Sequence, residues 1–86
     1  MRHDHFDAYR AGFQQGNITG EKYASRGEAE PEDLNDLAWR EAERLHVTRD
    51  RAQWTKGFRD GFARGFESSN KQALLKGFFY VSTLTG

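Results

Sequence analysis

The sequence predicts an all-α protein, a small bundle of three to four helices with close glycine-mediated packing of the first helix on the third. Two rows of small residues carry that prediction. Gly57, Gly61 and Gly65 recur every fourth position, and Trp54, Phe58, Phe62 and Phe66 run beside them at the same spacing. Ala8, Gly12 and Gly16 repeat the pattern near the start, with Tyr9 and Phe13 alongside. In a helix of about 3.6 residues per turn, positions four apart form a ridge, so each row is a shallow groove walled by rings. Three interior glycines cost roughly 3 kcal/mol relative to alanine. Buried aromatic rings contribute about 1.5 to 3 kcal/mol each, which offsets that cost only if a second helix comes close enough to cover them. Composition is the third observation: 36% apolar residues, 30% charged residues and one proline describe a folded, helix-rich chain rather than a disordered one.

The elements follow in order within one helical domain spanning 1–86. A first helix over about 4–15 places Phe6, Tyr9 and Phe13 on one side, with Gly16-Asn17 as its stop. Residues 18–29 lack periodicity and read as a loop, with Ile18 and Tyr23 turned inward. A second helix over about 31–46 begins at Pro31, and Glu32, Asp33 and Asp36 complement its dipole. Leu34, Leu37, Ala38, Glu41 and Leu45 share one side of it; Trp39 lies elsewhere, either as a partner anchor or folded over the loop. The third helix, over about 49–67, takes Thr48 as its cap and Val47 as a staple onto Ala52. Its rows continue through Ser69, Ala73 and Gly77, so the helix either ends at the serines or runs to about Phe79 before a tail.

Charge is balanced overall and uneven along the chain. Residues 1–46 hold 6 basic and 10 acidic side chains, and residues 47–86 hold 7 and 3, a net of −4 against +4. Complementary halves weaken the case for nucleic acid, because cations already neutralised by the protein's own carboxylates release no counterions from a phosphate backbone. Lys56, Asp60 and Arg64 are spaced for i,i+4 pairs on a solvated face. The chain has no cysteine, so disulfides are excluded. No apolar run reaches the ~18 residues of a membrane span, and the polar start is unlike a secretory leader; both point to the cytoplasm.

Catalytic constellations are missing from the pattern. His3 and His5 fall on different sides of a helix, and His46 stands alone at a helix end. The acidic run of Glu28, Glu30, Glu32, Asp33 and Asp36 lacks the glycine and ligand spacing of a calcium loop. The expectation is a non-enzymatic protein with no cofactor and no metal.

Two segments, Tyr9-Arg10-Ala11-Gly12-Phe13 and Gln53-Trp54-Thr55-Lys56-Gly57-Phe58-Arg59-Asp60, resemble the ribosome modulation factor family. The shared pattern is Tyr-x-Ala-Gly-apolar followed by Gln-Trp-x-x-Gly-aromatic-Arg-acid. The resemblance implies a ribosome-bound hibernation factor that contacts small-subunit RNA.

Two functions therefore stand side by side. One is stoichiometric binding to a protein, as practised by small inhibitors and accessory factors of phages and mobile elements, with a homodimer through Phe62, Phe66, Phe78 and Phe79 as one form of it. The other is ribosome or RNA association, in which Arg49, Arg51, Lys56, Arg59 and Arg64 meet phosphates and Tyr23 or Trp39 stacks on bases.

Overall fold

Three helices account for the architecture: α1 (Ala8–Ser25), α2 (Leu34–Arg44) and α3 (Arg51–Thr85). The computed structural model describes the backbone of residues 7–85 and the side chains of residues 7–71. His3, His5 and Phe6 lie outside the described residues.

The two small-residue rows face each other, and their contact is made by backbone. A Cβ at Gly12 would stand 1.9 Å from the Trp54 carbonyl oxygen, one at Gly16 2.0 Å from that of Phe58, and one at Gly20 2.3 Å from that of Phe62. The relation is reciprocal. A Cβ at Gly57, Gly61 or Gly65 would stand 2.0, 2.0 or 2.2 Å from the carbonyl oxygens of Tyr9, Phe13 and Asn17. No side chain fits at any of the six, so each presents an α-hydrogen to a carbonyl across the interface, a weak bond of about 0.5 to 1 kcal/mol that this repeated geometry favours. The contact is a line more than two turns long rather than a crossing point.

Successive glycines of α1 meet successive turns of α3 in the same chain direction, so the two helices run parallel. Parallel neighbours need a return path, and α2 supplies it. Its start lies by α3 where Arg59 donates to the Asn35 side chain, and its end where the Arg51 guanidinium donates to the Val47 carbonyl (2.8 Å), so α2 is antiparallel to α3.

The core lies on the α2 side of the glycine line. Trp54, Phe58 and Phe62 are buried with Ala8, Leu37, Ala38 and Ala42, and Tyr23, Leu34, Val47 and Phe66 pack around them. Trp54 stacks on Phe58 (5.4 Å between centroids), Phe62 stacks on Phe66 (5.9 Å), and Tyr23 meets Phe62 edge-on (5.1 Å). Ala38 and Ala42 are wholly covered, which lets α2 lie close against this wall. On the opposite flank Tyr9 and Phe13 are half-buried, and the Tyr9 hydroxyl donates to Asp60 (2.5 Å).

Several helix bounds differ from those read in the sequence, each for a local reason. α1 passes through Gly16-Asn17 to Ser25, because Gly16 and Gly20 are seated on α3 and burial outweighs their poor propensity. Its stop is Gly27, in the left-handed region at φ 72°; Gly27 N–H donates to Ala24 and Glu28 N–H to Tyr23, a Schellman closure. Its start is Asp7, whose carboxylate accepts from the Arg10 amide. Ile18, two residues after Gly16, falls on the far side of the helix and is 46% exposed rather than turned inward. α2 opens after Asp33, which caps the Asp36 amide at 2.9 Å; Pro31 precedes it. Leu45 is exposed at its end.

The same closure ends α2: His46, at φ 59°, donates to Glu43, and Val47 to Ala42. The Val47 amide thus closes α2, its side chain packs against the core, and Ala52, the expected staple partner, is exposed. α3 starts at Arg51, after Asp50 at φ 47°, and the Asp50 carbonyl accepts from Trp54; Thr48 is two residues too early to cap it. At the other end α3 continues through the serines and past Phe79 to Thr85.

Candidate interaction surface

The structure divides the predicted contact residues into buried, tethered and exposed groups. Tyr23 is half-buried and packs on the core, its ring at a steep angle to Phe62. Phe62 is wholly buried and Phe66 half-buried, so Phe62 offers nothing to a second copy; the side chains of Phe78 and Phe79 lie outside those described.

Cations predicted to act together are dispersed. Arg51 is half-buried and tethered to the Val47 carbonyl, and Arg59 is tethered to Asn35. Arg49 lines an open groove with His46, Thr48 and Gln15, next to Leu45 and Trp54. Lys56 and Arg64 are exposed, two turns apart on α3. Asp60, placed between them in sequence, is engaged by Tyr9, and no ion pair joins the three among the described residues. The geometry thus replaces the expected i,i+4 ladder with an inter-helix bond. It also raises the Tyr9 phenol above its usual value, first through that hydrogen bond, then through burial and the negative charge of Asp60.

Among the described residues Trp39 is the aromatic left exposed, 39% accessible on the outer side of α2. Its side follows from local chemistry: Leu34, Leu37, Ala38 and Ala42 turn toward α3 at helical spacing, and Trp39 is the residue after the buried pair, about 100° away. The stretch of chain that carries it is acidic. Residues 28–44 hold seven carboxylates and two arginines. Both arginines are engaged within α2, Arg40 with Asp36 (2.9 Å) and Arg44 with Glu41 (2.8 Å), which leaves Glu43, four residues beyond Trp39, exposed. Sequence reasoning singled out Trp39 as a partner anchor, as a ring folded over the loop, or as a base-stacking ring beside the cations; the structure leaves it partly exposed on α2.

Among the described residues no three His, Asp or Glu side chains gather as a metal site, and no helix is long and apolar enough to cross a membrane. Comparison with protein-family models, curated proteins and solved structures returned no match. The likeness to ribosome modulation factor accordingly rests on the two segments that suggested it.

Proposed function

We propose that this chain is a non-enzymatic cytoplasmic binding protein that occupies a surface of another protein stoichiometrically, as an inhibitor or accessory factor, through the outer face of α2 around Trp39. The observation that carries this reading is the placement of an exposed tryptophan on the most acidic stretch of the chain. Tryptophan is the side chain that most often anchors protein interfaces, since it covers a large apolar area at low entropic cost. The excess of carboxylates on that stretch disfavours a phosphate backbone and suits a basic protein surface. Of the five cations the ribosome reading relies on, Arg51 and Arg59 are half-buried and tethered, while Arg49, Lys56 and Arg64 are exposed, the last two separated by two turns of α3, which disfavours a continuous phosphate track.

Affinity capture from the native host, with and without nuclease, tests the reading. The expected result is a partner retained after nuclease, lost with Trp39→Ala and kept with Lys56→Ala plus Arg64→Ala. Capture that depends on intact RNA, or that survives Trp39→Ala, would overturn it.

A further inference from the structure

We propose that the groove between α1 and the α2–α3 connection is a binding site for a small organic acid, a single carboxylate on an apolar body. Three stretches far apart in the chain build it: Gln14 and Gln15 on α1, residues 45–49 after α2, and Trp54 on α3. Only the folded chain has this groove. Its volume of about 530 Å³ is that of a small-ligand site.

The chemistry of the lining is one-sided. Of the 13 aspartates and glutamates in the chain none lines the groove, whereas hydrogen-bond donors do: His46, Thr48 and Arg49 from one segment, and the Gln14 and Gln15 amides from α1. The side chains of Gln14, Gln15, His46 and Thr48 make no hydrogen bond among the described residues, so their donors are available to a ligand. A guanidinium has five N–H donors in a planar fork, which lets Arg49 hold a carboxylate alongside a contact within the chain. Backbone strain falls on the same segment. His46 and Asp50, at φ 59° and 47°, are the described non-glycine residues in the left-handed region, and they bracket residues 47–49. Side chains adopt that conformation at a cost, and where α1 closes in the same way the chain uses Gly27; at His46 the costly position carries an imidazole into the groove wall.

Charge and apolar surface together define the ligand. Counting histidine as neutral, Arg49 is the one formal charge of the lining, which matches one carboxylate and under-balances a phosphate monoester of about −1.5 to −2. Beside the donors stand Leu45, 37% exposed, and the half-buried Ala11 and Val47. An apolar body laid on these side chains leaves water while its acid group reaches Arg49. Trp39 does not line the groove, so this reading and that of the α2 face fail independently.

Amide NMR of the full chain, titrated with N-acetylleucine and N-acetylphenylalanine, is the test. Saturating shifts at Gln14, Gln15 and residues 46–49 are expected, with a Kd of about 1 mM for the better acid. The uncharged N-acetylleucinamide and N-acetylphenylalaninamide should bind about tenfold more weakly or worse, since they lack the charge that Arg49 meets. Arg49→Gln, which removes the fork, and Leu45→Glu, which adds a carboxylate to the groove, should each weaken the acids about tenfold. Arg64→Gln, an exposed cation elsewhere on α3, should bind like the parent. Amide shifts remote from the groove check that each variant is folded; if Arg49→Gln is not, Leu45→Glu carries the same expectation. No saturable shift with either acid by about 20 mM, equal binding of acids and amides, indifference to the groove substitutions, or tighter binding of inorganic phosphate would overturn the proposal.

Discussion

Gly16 and Phe58 meet backbone to backbone: a Cβ on Gly16 would stand 2.0 Å from the Phe58 carbonyl oxygen and 2.8 Å from the Phe62 nitrogen. Neither neighbour is a flexible side-chain end that could move aside. Gly16→Ala should therefore destabilise the protein by about 1 to 3 kcal/mol, even though alanine favours an isolated helix by about 1 kcal/mol. Thermal melts should show a fall of at least about 4 to 8 °C. An unchanged or raised melting temperature would mean that α1 and α3 do not touch there.

His46 and Gly27 make a matched pair of opposite sign. Both end a helix in the left-handed region, at φ 59° and 72°. A side chain in that conformation is strained where glycine is not, so His46→Gly should stabilise, and Gly27→Ala destabilise, by about 0.5 to 1 kcal/mol. Urea denaturation midpoints, compared at constant m, measure both.

Phe62 is fully enclosed, between Phe58, Phe66 and Tyr23. Phe62→Ala should cost about 3 to 5 kcal/mol, a large share of the stability of so small a domain. Near-UV circular dichroism should lose its aromatic bands at a temperature where the parent keeps them.

Tyr9 gives the protein an alkaline dependence of known sign. The folded state raises the phenol's affinity for its proton, chiefly through the bond to Asp60. Its contribution is complete below the unfolded value of about 10 and is lost as pH rises through the higher folded value. Tyr9→Phe should remove that part of the fall in stability above pH of about 10, as read from melts of both proteins across the alkaline range.

Trp39→Ala should cost no more than about 1 kcal/mol, because Trp39 is 39% exposed and takes no part in the buried cluster. Loss of partner capture without loss of melting temperature separates a binding residue from a structural one.

The sequence by itself determined which surfaces of α3 would be occupied. Glycines at 57, 61 and 65 have a cost that only close packing offsets, and their four-residue period already names the face and the wall of rings beside it. What it could not show was how far α1 extends. Gly16, Asn17 and Gly20 taken locally read as helix breakers, and only α3 lying against them, the carbonyls of Phe58 and Phe62 on the two glycines and Gly61 and Gly65 on Asn17, makes helix the lower-energy state. The parallel sense of the pair, the bond from Tyr9 to Asp60 and the scattering of the cations follow from which residues stand opposite one another. Periodicity records which side of a helix is apolar; it carries no record of the register in which two helices meet, and that register decided which side chains were left for a partner.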